Sequence, residues 1–390
     1  MKRHTADVTI VGGGLIGAWC AFFLARRGKK VTLIEKGVVG AQSSGTNFGS
    51  LRLQGRYPAQ YPLSLRAQEL WERLEDLIGD NCEYDRAGHL YCAHDGEESA
   101  KLQDYAAVSR SYGLEIEDLG RSDLRRRFPW LGDRIVHATY SARDATANPR
   151  LVTPAVARAA KAEGVEIVEN SSVTGIGVRD GTFQVTADGY GCVESGYVVN
   201  SAGAWGVKIA EIFGETVPLF PAGPPQFVTE PVPYIVRPTV QTVDGSVIAR
   251  QIPRGNLILT GYPRTASDPV NNRAPVPLHK TLSAMAGLEQ IIPAMAHAHV
   301  IRVWSGIEGY IPDMIPVIGE SARMPGLIHA FGFCGHGFQI GPGVGLCVSE
   351  MIADGETPVP LEPFAISRFS GSTVVSEKFH SEFDAEAVGR

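Results

Sequence analysis

Cysteine is sparse in this chain and badly spaced for chemistry. Its six residues, Cys20, Cys82, Cys92, Cys192, Cys334 and Cys347, are scattered over 390 positions, and no Cys-x-x-Cys pair occurs. That argues against a zinc or iron–sulfur site within this chain and against a disulfide framework. Reduced thiols in a cytoplasmic protein are the simplest expectation, with any membrane association peripheral and made through partners. Cations are not in excess either: 36 Lys and Arg stand against 42 Asp and Glu, a net charge of -6. A nucleic-acid or anionic-membrane partner calls for a basic face, so neither is expected. The basic run Leu124-Arg125-Arg126-Arg127-Phe128 reads as a solvated helix end. Uncharged runs that could span a bilayer are also missing. Residues 8–25 follow Lys2 and Arg3 as a signal peptide would, but Asp7 opens the run and four glycines interrupt it. Residues 325–349 hold seven glycines and two prolines, a poor membrane helix. No transmembrane segment is expected.

Glycine is what the chain has in plenty: 44 residues, about 11% against a usual ~7%, with no collagen-like period. Glycine in a folded chain permits tight turns and close approach of backbone to a ligand. Apolar residues at 44% and charged residues at 20% are ordinary globular values. The length predicts two to three domains with a full core.

The glycines begin in an informative place. Asp7-Val8-Thr9-Ile10-Val11 reads as a buried strand, followed by Gly12-Gly13-Gly14-Leu15-Ile16-Gly17 and a helical pattern over 18–27. Gly28 ends the helix, and Val31-Thr32-Leu33-Ile34-Glu35 reads as a second, parallel strand. This is the dinucleotide fingerprint in its full context: strand before, helix after, acid at the end of strand two. Gly12 makes the turn, Gly14 lets backbone approach a pyrophosphate at the helix N-terminus, and Gly17 lets helix and strand pack closely. Leu15, Ile16, Glu35 and Lys36 complete the candidate binding unit, with Glu35 placed to accept from ribose hydroxyls. The unit alone does not choose between NAD and FAD. After it, the chain leaves the βα repeat for Gly40-Ala41-Gln42-Ser43-Ser44-Gly45-Thr46-Asn47-Phe48-Gly49-Ser50, where small and hydroxyl residues suit phosphate and ribityl oxygens. Ser43, Ser44, Thr46, Asn47, Phe48 and Gly49 are therefore further candidates.

At this point the sequence resembles the D-amino-acid oxidase superfamily of FAD enzymes, which includes sarcosine and glycine oxidases. Four blocks carry the resemblance: residues 11–35; residues 43–56 continuing into a helix over 63–71; Val198-Val199-Asn200-Ser201-Ala202-Gly203-Ala204-Trp205; and residues 312–319 with Gly332-Phe333-Cys334-Gly335-His336-Gly337-Phe338-Gln339. The resemblance implies an α/β fold, with a Rossmann-type FAD-binding domain interleaved with an antiparallel-sheet substrate domain. The FAD domain would comprise 1–85, 148–220 and 312–365, and the substrate domain 86–147 and 221–311. Strand-like stretches at 227–229, 240–243, 246–250 and 256–261 support the second sheet independently. The polar, Ser-rich tail, 366–390, predicts a segment that is disordered or lies on another subunit. The cofactor implied is non-covalent FAD, since Gly306 stands where the covalent oxidases supply a cysteine. The resemblance adds a backbone contact to adenine near Val173, flavin contacts from Ala202, Gly203 and Trp205, and others from Gly335, His336, Gly337, Phe338 and Gln339. The glycines of 335–345 are expected to precede a helix over 344–353 whose N-terminus faces the flavin. No metal is implied.

The family chemistry is oxidation of a C–N bond α to a carboxylate by hydride transfer to flavin N5, giving an imine that water hydrolyses. Arg52 matches an arginine that clamps the substrate carboxylate, and a planar guanidinium suits that task. Arg56 is a weaker candidate. Gln339 stands where sarcosine oxidase has a second carboxylate-binding lysine. Glu308 stands where the amino-acid oxidases have an arginine, and a glutamate there would repel a carboxylate, so it is expected to meet a cation, a hydroxyl or the substrate nitrogen. Arg52, Glu308, His336 and Gln339 are thus the candidate catalytic residues. The pattern around Glu308 resembles catalytic subunits of opine, D-hydroxyproline and dye-linked proline dehydrogenases, which assemble with small iron–sulfur or second flavin subunits. Leu259 stands where an oxidase lysine assists oxygen, so a dehydrogenase of a secondary or D-amino acid, or of an opine, is expected. The alternatives are a peroxide-forming oxidase of the sarcosine or glycine type, a non-catalytic FAD or electron-transfer subunit, and an NAD-only dehydrogenase. A flavin monooxygenase is disfavoured because Gly319-Glu320-Ser321 replaces its Gly-Asp-Ala motif.

Overall fold

The computed structural model describes residues 2–371, 374–377, 379 and 381–388. The strands Val8–Val11 and Val31–Ile34 are buried at every residue and pair in parallel, Val8 opposite Val31 and Val11 opposite Ile34. Strands buried at every residue belong to a sheet covered on both faces. Tyr197–Asn200 and then Leu327–Phe331 continue the sheet in parallel, Val317–Glu320 closes one edge antiparallel, and Glu166–Val168 forms the other edge.

The helix Leu15–Arg26 follows the glycine turn, and ten consecutive residues, Leu15 to Leu24, are buried. A helix apolar all round must be packed all round. The helices Pro149–Ala162 and Gly337–Asp354 cover it. The uncharged run near the N-terminus is therefore a core helix. Among the described residues no helix is long and apolar enough to cross a membrane.

The last long helix differs from expectation. It begins at Gly337, seven residues before the position read from the sequence, and includes Pro342. Its glycines are a packing surface. A Cβ at Gly341 would stand 2.9 Å from Leu15 Cδ2, one at Gly343 2.9 Å from the Leu63 carbonyl oxygen, and one at Gly345 2.5 Å from Trp19 Cβ. Close approach to the helices Leu15–Arg26 and Tyr61–Trp71 requires the missing side chains.

The second large sheet has eight strands in the order Val300–Trp304, Gln226–Pro231, Asn256–Thr260, Ile248–Gln251, Thr239–Thr242, His89–Ala93, His137–Ser141, Glu117–Gly120. It is antiparallel except where Thr239–Thr242 runs parallel to His89–Ala93. Two smaller sheets flank the pair. One joins Arg3–Thr5, Gly191–Ser195, Thr182–Ala187 and Val173–Arg179; the other joins Thr265–Ala266, Phe220–Gly223 and Glu308–Tyr310.

The C-terminal segment corrects another expectation. Its described residues fold back onto this chain, with Phe364, Ile366 and Phe383 buried and Phe383 edge-on to Phe220 and Tyr310. Its few apolar residues, hidden among serines, anchor it. Residues 372–373, 378, 380 and 389–390 lie outside the described residues.

Candidate active site

A cavity of about 680 Å³ is lined by the glycine turn, the 42–50 segment, one face of the eight-stranded sheet and the start of the helix Gly337–Asp354. Gly12, Gly14, Leu15 and Ile16 line it, so the helix N-terminus faces the space. Gly12 has φ +106°, and a Cβ there would stand 2.5 Å from the Ser201 carbonyl oxygen. Gly17 lies behind the wall; a Cβ there would stand 2.0 Å from the Gly12 carbonyl oxygen. The Glu35 carboxylate accepts from Gly13 N at 2.7 Å and Gly37 N at 2.8 Å, which fixes the turn and leaves lone pairs for a further donor. Lys36 Nζ sits 3.0 Å from the Trp205 ring centroid, and burial lowers its pKa to about 8.

The 42–50 segment is tied down from both sides. Ser44 Oγ accepts from Leu15 N at 2.8 Å. Asn47 Nδ2 donates to the carbonyls of Ser43 (3.1 Å) and Ser44 (2.8 Å), while its Oδ1 accepts from Gly49 N at 2.8 Å. Ser43, Ser44, Asn47, Phe48 and Gly49 line the cavity, as do Val173, Ala202, Gly203 and Trp205. Thr46 does not: its hydroxyl turns to the Gln42 carbonyl at 3.2 Å, and it fills the space beside Gly306. A Cβ at Gly306 would stand 2.0 Å from Thr46 Oγ1, so a side chain there requires Thr46 to move.

Gly335, His336, Gly337 and Phe338 line the cavity at the start of the last long helix. Gln339 does not. Its Nε2 donates to the Ser64 carbonyl at 2.9 Å, and its own carbonyl accepts from Trp71 Nε1 at 2.7 Å. The helical turn that brings Phe338 to the wall directs Gln339 into the interface with Tyr61–Trp71. It packs against the helix Tyr61–Trp71 and does not line the cavity.

The eight-stranded sheet offers a row of side chains. Gln226 and Ile248 both lie opposite Thr260, and Gln241 lies opposite Ile248; all four line the cavity. Leu259 points the other way, into the apolar core with Phe227 and Leu257. The position facing the cavity is therefore Thr260, one residue along, as strand alternation requires. Gln226 donates to Thr260 Oγ1 at 3.2 Å, and its own Oε1 has no partner.

Arg52, Arg56 and Glu308 also reach the cavity. Arg52 spends Nη1 on the carbonyls of Gln54 and Gly55, so its other N–H groups remain for a ligand. Arg56 Nε and Nη2 donate to the Arg52 carbonyl at 2.8 and 2.6 Å, whereas its buried Nη1 has no partner. Glu308 accepts a hydrogen bond from the Tyr310 hydroxyl. Burial raises the Glu308 pKa, against the opposing pull of Tyr310 and Arg264.

Arg264 is a lining residue that sequence reasoning missed. It sits just beyond the strand Asn256–Thr260, its Nη1 2.7 Å from Glu382, with the rings of Tyr262, Tyr310 and Phe383 4.2, 4.7 and 5.2 Å away. Burial would lower its pKa, but Tyr310, Tyr262 and Glu382 reverse that and hold it charged. A lone arginine after a strand carries no local signal; only the returning C-terminal segment defines its role.

The positive-φ glycine turn, the inward helix N-terminus and the adjacent lysine fit a dinucleotide pyrophosphate, and the cavity runs on from there to the arginines. Residues 7–351 match the family model DAO: FAD dependent oxidoreductase. The chain is 28% identical over 382 residues to glycine oxidase of Geobacillus kaustophilus, covering 95% of this chain and 99% of that one. It is 26% identical over 380 residues to sarcosine oxidase subunit beta of Rhizobium meliloti, covering 95% and 90%. Among solved structures, L-proline dehydrogenase from P. horikoshii superposes with a TM-score of 0.88 at 26% identity, covering 95% of this chain and 99% of that one. With its dinucleotide turn, its second sheet and its shared cavity all accounted for over that length, the chain belongs to the DAO family of FAD-dependent oxidoreductases.

Proposed function

We propose that this enzyme oxidises the C–N bond of a secondary or D-amino acid, as a dehydrogenase of the proline, D-hydroxyproline or opine type. The observation that carries this reading is the Arg52–Arg56 pair on the cavity wall: Arg52 has committed only its Nη1, and beside it lies the buried Arg56 guanidinium, whose Nη1 lacks a partner. Two adjacent cations with an unmade hydrogen bond are completed by a carboxylate, which takes a guanidinium edge in two parallel bonds. Glu308, oriented by Tyr310, offers an acceptor for the substrate N–H. Gln226 and Thr260 add neutral polar contacts from the sheet. Bound FAD supplies the hydride acceptor, and the imine left on the substrate is hydrolysed by water. The chain's task is to hold the substrate α-carbon against it in one orientation. No side chain is assigned as general base.

The dehydrogenase half of the reading is supported by the sheet positions that line the cavity, Gln226, Gln241, Ile248 and Thr260, none of which is a lysine, while Arg264 just beyond them is paired with Glu382. A positive charge there would favour reaction with oxygen. The similarity to a protein named as a subunit supports a heteromeric assembly, in which small iron–sulfur or flavin subunits would serve as electron acceptors.

The test compares matched amines with an artificial electron acceptor: proline, 4-hydroxyproline, sarcosine and N-carboxyalkyl amino acids against pyrrolidine and other analogues lacking the carboxylate. The expected kcat/KM is at least about tenfold lower without the carboxylate, the scale of a lost charge-assisted hydrogen bond. Equal rates on both sets would sink the reading. Fast reoxidation by air with peroxide release would replace the dehydrogenase with an oxidase.

A further inference from the structure

Arg250 is buried, at 6% exposure, on the strand Ile248–Gln251. It shares a strand face with Ile248, which lines the cavity, but does not reach the space itself. No ion pair to it is found among the described residues. Its Nη2 lies 3.5 Å from the Ala147 carbonyl oxygen, its Nε has no partner, and its guanidinium carbon is 5.5 Å from the Phe48 ring centroid. Gly49 has φ +82°, and a Cβ there would stand 2.8 Å from Arg250 Nη2. The cation is thus packed against the back of the Phe48–Gly49 backbone, whose front lines the cavity. Glu83 and Asp85 act on it only from a distance; their ion pairs are with Arg254 at 3.6 Å and Arg237 at 3.8 Å.

A buried cation without an anionic partner costs stability, and an apolar side chain of similar volume commonly serves the fold better. Its presence calls for an anion, and no carboxylate among the described residues pairs with it directly. Two-electron reduction of the cofactor creates negative charge in this cavity, and low-dielectric surroundings extend the reach of a single cation. We propose that Arg250 is a positioning residue that acts through the Phe48–Gly49 wall, holding that segment in place and biasing bound FAD toward its reduced, anionic form. This rests on FAD occupying the cavity and not on the identity of the substrate.

The experiment uses FAD-loaded wild type, Arg250→Met and Arg250→Lys. Midpoint potentials are measured by equilibration with a reference dye, and melting temperatures are measured on the apoproteins. The methionine variant is expected to bind reduced relative to oxidised FAD about tenfold less favourably than wild type, seen as a lower potential. Its apoprotein is expected to melt no lower than wild type, because an uncompensated charge is gone. The lysine variant is expected to recover most of the potential. A methionine variant with a lowered apoprotein melting temperature and an unchanged potential would assign Arg250 to packing alone and overturn the proposal. Should the methionine variant fail to hold FAD, the lysine variant decides: a near-native potential supports the charge, and a lost one refutes it.

Discussion

Asp144 lies inside the protein beneath the turn that carries Arg52 and Arg56. Ser141 Oγ donates to its Oδ1 at 2.7 Å, the backbone at Leu53 and Gln54 also hydrogen-bonds to it, and Oδ2 has no partner. Burial pushes its pKa up to about 6, despite those hydrogen bonds and the charge of Arg52. Because the folded pKa is raised, the stability linked to this group is fully present below the unfolded value near 3.8 and is lost as pH rises through about 6. Asp144→Asn is therefore expected to raise the melting temperature at pH 8, by an amount corresponding to no more than about 3 kcal/mol, and to make little difference near pH 4. Thermal melts of both proteins across that range check the sign; a gain confined to low pH would contradict it. At this scale the sequence was partly legible. Glycine turns announce themselves locally, because Gly12 and Gly17 occupy places that backbone geometry denies to other residues. Side-chain direction does not. Gln339 and Thr46 have suitable chemistry and neighbours, but helix phase and the Gly306 contact turn them away from the cavity. Arg264 needs a partner more than a hundred residues distant to define it.

Among the elements, the helix Gly337–Asp354 shows why composition can mislead about structure. Read along the chain, its glycines and Pro342 look like a loop ahead of a short helix. Read across the fold, the same glycines let three helices approach until their backbones nearly touch. Gly345→Ala makes this measurable. Alanine gains about 1 kcal/mol of helix propensity, but its Cβ would lie 2.7 Å from the Trp19 carbonyl carbon and 2.9 Å from Cys20 N. Backbone of a buried helix cannot step aside cheaply, so the net effect is expected to be a loss of about 1–3 kcal/mol and a lower melting temperature. A variant as stable as wild type would show that the interface has slack. The first two strands and the helix between them were legible because period and turn agree. The row Gln226–Thr260–Ile248–Gln241 was not, since strand register decides which of Leu259 and Thr260 meets the cavity, and a one-residue shift exchanges them.

For the whole molecule, the two large sheets draw on alternating stretches of the chain, so the cavity between them is assembled from the N-terminal turn, the middle strands and the last long helix together. The C-terminal segment completes it. Glu382 pairs with Arg264, and Asp384 pairs with Lys280 at 2.9 Å, fastening the tail over the region that holds Glu308 and Tyr310. The sequence indicated the cofactor and the reaction class through motifs that recur in order. It hid the tail, because a few buried apolar residues such as Ile366 and Phe383 among serines leave no periodic trace. The central claim is that this one chain binds FAD and an amino acid in the same cavity and passes hydride between them. Mixing the purified, FAD-loaded chain with candidate amino acids in the absence of oxygen, and following the yellow flavin band, tests that claim most directly. The band should bleach in a single turnover with at least one carboxylate-bearing amine and persist with its decarboxylated analogue. A flavin that stays oxidised with every amino acid, yet is reduced once a partner subunit is added, would move the chemistry off this chain and contradict the account.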